Sequence, residues 1–279
     1  MRIDADQHYW SMSRSDYGWI TPELPVLYRD YLPGDLDSHR SKHDIDGTIL
    51  VQAAPTIEET EYLLSLADGS DSILGVVGYL DLFHPDHRAH YDRCRQHPKF
   101  VGFRIMIQDM EDARVILQPS FVEALRMYAA MDVPVDLLVK SDQLEPLNEL
   151  LDLVPGLRGV IDHIGKPRIA EGAFEPWAAH MERASRHPGL YCKLSGMVTE
   201  ADHRDWKPEH FGRYIDHIVR LFGSERVMFG TDWPVCLLAA GYDEVVELLE
   251  GAIPESWGER ERANLFGENA KRFYKLAEK

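Results

Sequence analysis

Cysteine is scarce: Cys94, Cys192 and Cys236 are the only three in 279 residues, an odd number at wide spacing. No Cys-x-x-Cys pair occurs, which excludes a disulfide framework and a cysteine-ligated zinc and fits reduced thiols in a cytoplasmic protein. Long hydrophobic runs are missing too. The longest largely apolar stretches, 73–80, 133–139 and 235–240, fall far short of the ~20 residues that cross a bilayer, so no membrane partner is expected. Basic side chains are the minority, with 30 Lys and Arg against 47 Asp and Glu and a net charge of −17. Nucleic-acid binding is built on clustered Lys and Arg. Here Arg158, Lys166 and Arg168 come nearest to a cluster and are scattered, so no nucleic-acid partner is expected. There is no Gly-x-Gly-x-x-Gly turn after the first strand candidate, no P-loop and no Gly-x-Ser-x-Gly elbow. These absences argue against dinucleotide binding, nucleotide hydrolysis and a serine nucleophile. The opening Met1-Arg2-Ile3-Asp4-Ala5-Asp6 places two acids where an export signal has its apolar stretch, so none is expected.

What the chain has in quantity is alternation. Short β-branched apolar segments occur at 2–4, 47–52, 73–79, 100–106, 133–139, 159–162, 190–193 and 226–229. Helical spacing of apolar residues occupies the intervals, among them 58–67, 121–131, 143–153, 211–222, 242–249 and 261–276. Nearly continuous apolar strands are buried on both faces, as in a parallel sheet. Eight strand–helix units fit a closed (β/α)₈ TIM barrel, a fold that commonly needs ~250 residues, so residues 1–279 read as a single α/β barrel domain.

The polar residues cluster at strand ends. Asp6 and His8 end the first strand, Gln52 the second and Asp81 the third. Arg104 and Gln108 end the fourth, Asp136 lies within the fifth, and His163 ends the sixth. Lys193 and Ser195 end the seventh, and Asp232 the eighth. A barrel gathers these ends on one face, where active sites of this fold are built. One such residue is ordinarily a turn former; polar groups at every strand end point to a site. Residues 6 and 8 of Asp6-Gln7-His8 share one side of a strand and face the barrel mouth.

Four motifs in this order carry a resemblance: Asp6-Gln7-His8; Asp162-His163-Ile164-Gly165-Lys166-Pro167; Lys193-Leu194-Ser195-Gly196; and Gly230-Thr231-Asp232-Trp233-Pro234. With Val101-Gly102-Phe103-Arg104 and the tail Asn269-Ala270-Lys271-Arg272-Phe273-Tyr274, they resemble the amidohydrolase superfamily over essentially the whole chain. The closer likeness is to its sugar-lactonase branch, of the L-fuconolactonase type. The resemblance implies a (β/α)₈ barrel and hydrolysis of an ester-like carbonyl, and it implicates His8, Arg104, His163 and Asp232. One departure stands out, because the family carries His at the position of Asp6. The strand-five candidate is Asp136 rather than His, and Arg104 stands where a bridging ligand would be, so a second cation would be repelled. Two readings stay open: chemistry that requires no metal, or a single zinc held by Asp6, His8, His163 and Asp232.

Lactone opening needs an activated water, a polarised carbonyl and a proton for the departing alkoxide. Asp232 is the expected general base, with Arg104 and His163 facing the developing oxyanion. His8 shares that task or protonates the leaving oxygen. Asp6, Gln52, Gln108, Lys193 and Trp233 are the expected substrate-binding residues, which hold sugar hydroxyls or stack on the ring; for Lys193 a salt bridge beneath the rim is the competing reading. Tyr9, Trp10, Tyr17 and Trp19 form a lid or the core of the first loop. His39, His43, His84, His87 and His90 read as solvated and without a role. The expected partner is a small sugar lactone, and the oligomeric state is left open. An aromatic or muconate-type substrate, hydrolysed or decarboxylated, is the runner-up, and a ligand-binding barrel without catalysis is the alternative outside enzymes.

Overall fold

In the computed structural model, which describes residues 1–277, eight strands run in one sheet: β1 (Ile3–Gln7), β2 (Gly47–Val51), β3 (Ile73–Tyr79), β4 (Phe100–Met106), β5 (Val135–Leu138), β6 (Gly159–Ile161), β7 (Leu190–Leu194) and β8 (Val227–Phe229). They pair in sequence order, each parallel to the next. Backbone bonds from Asp232 N to Asp6 O (2.8 Å) and from His8 N to Trp233 O (2.7 Å) bring the end of β8 back to β1. The sheet is therefore a closed barrel with helices in the crossovers, as the alternation predicts. Among the described residues no helix is long and apolar enough to cross a membrane.

Helices form where an apolar stripe meets a capping signal. The helix α2 (Ile57–Asp68) follows α1 (Pro33–Lys42) and starts at Thr56, whose side chain accepts from Glu59 N. α4 (Pro119–Ala130) opens on proline, after α3 (His87–Cys94). Beyond α5 (Leu144–Leu153) and α6 (Trp177–Ser185), α7 (Glu209–Phe222) buries Phe211, Tyr214, Ile215, Ile218 and Phe222 along one stripe. The apolar spacing fails to mark α1 and α3 because they bury only Leu36 and only Tyr91 and Cys94. His39 and His43 are not simply solvated: with Lys42 they hydrogen-bond Asp243 of α8 (Tyr242–Ala252), tying the first helix to the last crossover. His87 likewise bonds the Tyr128 hydroxyl at 2.7 Å.

The tail departs from expectation. Residues 261–276 are not one helix but α9 (Glu259–Ala263), a π turn at Asn264–Glu268 and α10 (Asn269–Phe273). At Gly267 the chain presses against Met1 O so closely that a Cβ would sit 2.1 Å from that oxygen. The break turns Phe273 and Tyr274 under the barrel, where they pack on Ile3, Ala5, Ile49, Val51, Val77, Val160 and Met228. An apolar plug thus closes the end opposite the strand C-termini. Polar side chains occupy the layer above it.

Candidate active site

β1 carries an irregularity between Asp4 and Gln7. Ala5 belongs to the interior plug, yet Asp6 also faces inward, toward Ser195 and Lys193. Such a bulge re-aims a side chain, and here it leaves Asp4 on the outer side against Thr231 and Tyr242. Asp4 accepts from Asp6 N, Thr231 N, Thr231 Oγ1 and the Tyr242 hydroxyl. It thereby fixes the turn that presents Asp232, a residue held at φ 58°. Burial pushes the Asp4 carboxyl up to about 7 even against those hydrogen bonds.

Inside the barrel lies a layer of buried charge. Lys193 Nζ stands 2.6 Å from Asp136, 3.0 Å from Asp162 and 3.6 Å from Asp6, all fully buried. Tyr274, reaching up from the tail, donates to Asp136 at 2.9 Å. Burial, partly offset by Lys193, raises the Asp136 carboxyl to about 7. Burial acts the same way on Asp6, but there Lys193, followed by His163, His8 and Arg104, outweighs it and holds the carboxyl well below the usual range. Arg104 extends this layer, reaching Asp162 at 3.5 Å, Gln52 Oε1 at 3.3 Å and the Gln52 carbonyl.

Above the charged layer opens a cavity of about 530 Å³, within the range of small-molecule sites. His8, Arg104, Gln108, His163 and Asp232 line it. The structure therefore brings together all four expected catalytic residues and one of the five expected binding residues. Asp6, Gln52, Lys193 and Trp233 sit behind the wall. The reason is depth: Asp6, Gln52 and Lys193 have no exposed surface and are engaged within the charged layer, while Trp233 packs edge-on against Tyr9 and Tyr31. Asp81 lies outside the cavity and caps its own turn, accepting from Phe83 N.

His8 and His163 meet Asp232 from two sides. His8 Nδ1 donates to Val51 O at 2.8 Å, and its Nε2 stands 3.2 Å from Asp232 Oδ1. Both partners are acceptors, so the ring satisfies them together as an imidazolium or with a cation or water at Nε2. His163 Nε2 is 4.0 Å from the same oxygen. His163, Ile164 and Lys166 all have positive φ (53°, 49° and 46°), a costly conformation for side-chain-bearing residues that concentrates at functional sites. Trp177 Nε1 steadies the segment by donating to Ile164 O at 2.7 Å.

Sequence reasoning placed Trp19 only in a lid or loop core and gave no role to Met106, Leu138 or Asp162. Trp19 lines the cavity, held by its indole N–H on Ala53 O, and Ala53 N in turn donates to the buried Glu59. Burial raises that carboxyl to about 7. Of the first-loop aromatics Trp19 is thus a wall residue, whereas Tyr9, Trp10 and Tyr17 are loop core. Met106 and Leu138 face each other in register across β4 and β5 and form an apolar wall. Asp162 was legible from strand parity, since Val160 two residues earlier points into the barrel.

A zinc ion would find two imidazole nitrogens and a carboxylate oxygen here, the donor chemistry of an open three-ligand site. Asp6 lies a layer behind these groups, fully buried, with its Oδ2 accepting from Ser195 Oγ at 2.7 Å and its Oδ1 3.6 Å from the Lys193 ammonium. Among the described residues no three such groups already stand at cage spacing. A zinc ion would be held by His8, His163 and Asp232, with Asp6 one layer back.

A family model for amidohydrolases matches residues 3–276. An L-fucono-1,5-lactonase of Burkholderia ambifaria is 37% identical over 99% of this chain and 96% of its own length. Another of that name, from Burkholderia multivorans, is 37% identical over 100% of this chain and 97% of its own. A crystal structure of a Burkholderia multivorans amidohydrolase with bound zinc superposes with a TM-score of 0.94 at 37% identity, covering 99% and 100% of the two chains. With its barrel, its strand-end residues and this full-length match, the chain belongs to the amidohydrolase family.

Proposed function

We propose that this chain is a lactonase that hydrolyses a sugar-acid lactone of the L-fucono-1,5 type to the free acid. It acts as one barrel domain over residues 1–279 in the cytoplasm, where its three buried thiols stay reduced. The observation that carries the reading is the convergence of His8, His163, Arg104 and Asp232 on one cavity in a chain similar throughout to two L-fucono-1,5-lactonases. The cavity suits a polyol ring. Gln108 lines it, and Asp16, Asp109 and Lys166 add polar groups along the wall.

The steps balance with this chain's own groups. Asp232 takes a proton from water as the water oxygen bonds to the lactone carbonyl carbon. The carbonyl electron pair moves onto oxygen, where the Arg104 guanidinium stabilises it. The ring C–O bond then breaks, and its oxygen takes the proton of His8 Nε2. Asp232 returns its proton to His8 across their 3.2 Å contact. The product acid ionises into solvent. If zinc is resident, His8, His163 and Asp232 hold it, and it supplies carbonyl polarisation and a more acidic water.

The test is an acid-release assay on chelator-treated protein with L-fucono-, L-galactono- and D-arabinono-lactone. Turnover by the wild type is expected. Asp232→Asn should lower kcat by about 10²–10⁴-fold with an unchanged circular dichroism spectrum. Unchanged kcat in that variant refutes the role of Asp232. Silence of the wild type on every lactone, with or without zinc, refutes the function.

A further inference from the structure

We infer that Asp6, Ser195 and Lys193 form a positioning relay that decides which ring nitrogen of His163 carries the proton. All four side chains are buried. Ser195 Oγ lies 2.7 Å from Asp6 Oδ2 and 2.9 Å from His163 Nδ1. An ionised carboxylate only accepts, so the single hydroxyl proton goes to Asp6. Ser195 Oγ then offers only lone pairs to the ring, and His163 Nδ1 must be the N–H. In the neutral ring, Nε2 therefore presents a lone pair to the cavity beside Asp232. His163 accepts there, either from the attacking water or toward a cation, in place of the oxyanion-facing role expected from sequence. Gly196 closes the arrangement: at φ 58°, a Cβ would stand 2.4 Å from His163 Nδ1, so the ring can lie against the backbone only because residue 196 is glycine.

Lys193 gives the relay its direction. Its ammonium stands 3.6 Å from Asp6 Oδ1 and carries only donors. In an Asp6→Asn variant the amide oxygen must face Lys193, which turns the NH₂ toward Ser195. The hydroxyl then accepts from Asn and donates to His163 Nδ1, and the ring switches to the Nε2–H form. Ser195→Ala acts differently. His163 Nδ1 is 3.4 Å from Asp6 Oδ2, so the ring can donate to the carboxylate directly and keep its tautomer.

The kinetic consequence rests on the lactonase reading, but the tautomer itself does not. The experiment is long-range ¹H–¹⁵N correlation of ¹⁵N-histidine protein, metal-free, at pH 8, with His163 signals assigned by their loss in His163→Gln. Wild type and Ser195→Ala should show His163 protonated on Nδ1, and Asp6→Asn should show it on Nε2. On the lactone, Asp6→Asn should lose about 10²–10⁴-fold in kcat with KM within about twofold, as a wrong-tautomer histidine does, and Ser195→Ala less than about tenfold. An Nε2–H ring in the wild type overturns the inference, even if Asp6→Asn fails to fold. So does an Nδ1–H ring in folded Asp6→Asn, or a greater kcat loss in Ser195→Ala than in Asp6→Asn. A tautomer switch in a protein that opens no lactone upholds the relay and refutes the function.

Discussion

Replacing Lys193 with methionine removes the ammonium at the centre of the buried cluster and leaves Asp6, Asp136 and Asp162 facing one another. Those carboxylates stand 3.6, 2.6 and 3.0 Å from Nζ with no exposed surface, so water cannot take over the role of the cation. Breaking a buried ion cluster from one side costs about 3–5 kcal/mol. For a chain of this length that is roughly 5–9 °C in Tm. The loss must also grow with pH. Without Lys193 the cluster relieves its repulsion by taking up one further proton, on a group whose unfolded pKa is ~3.9. Each pH unit above that value adds about 1.4 kcal/mol to the uptake, so the variant should lose about 4 kcal/mol more at pH 8 than at pH 5. Urea midpoints at the two pH values, wild type against variant, give the comparison, with Lys193/Asp136→Met/Asn as a control that removes cation and carboxylate together. A loss below about 1 kcal/mol, or an equal loss at both pH values, would show that the cluster is not held by Lys193.

Two further predictions follow from buried groups around the site. Glu59 has its carboxyl raised from 4.5 to about 7 by burial. The folded state therefore binds this proton more tightly than the unfolded chain, and the stability it contributes is present below pH 4.5 and lost as pH rises to about 7. Glu59→Gln fixes the neutral form, so its stability relative to wild type should rise by on the order of 3 kcal/mol between pH 4.5 and pH 8. A pH-independent difference in urea midpoints would contradict this. At Thr231, whose hydroxyl donates to Asp4 at 2.6 Å and accepts from Trp233 N, valine keeps the shape and loses both bonds. Thr231→Val should lower kcat more than tenfold with a small change in KM, while Thr231→Ser stays within about threefold; equal kcat in the two variants would remove Asp4 from the placement of Asp232.

The sequence by itself determined the strand–helix alternation, the closed barrel and five of the residues around the cavity. This is physically reasonable. Strand burial on both faces and helix amphipathicity are local patterns, and the barrel's symmetry brings any residue at a strand's C-terminal end to the same mouth. His8, His163 and Asp232 lie just beyond such ends, Gln108 two residues past the end of β4 and Arg104 two residues before it. Depth was another matter. Asp6, Gln52, Lys193 and Trp233 belong to the same strand ends, yet they stand behind the wall rather than on it: the bulge in β1 and the inward parity of β7 set Asp6 and Lys193 one layer down, Gln52 is engaged by Arg104, and Trp233 packs on Tyr9 and Tyr31.

Partners distant in the chain were equally out of reach. The bond from Tyr274 to Asp136 spans 138 residues and exists only because the tail breaks at Gly267 and turns beneath the barrel. Asp6 and Ser195 are 189 residues apart, and nothing in either segment announces that one hydroxyl joins them. Periodicity records which way a side chain points. It does not record what waits there, and only the closed sheet decided that a carboxylate from β1 and a hydroxyl and an ammonium from the end of β7 meet behind one histidine, where each must satisfy the others because no water reaches them.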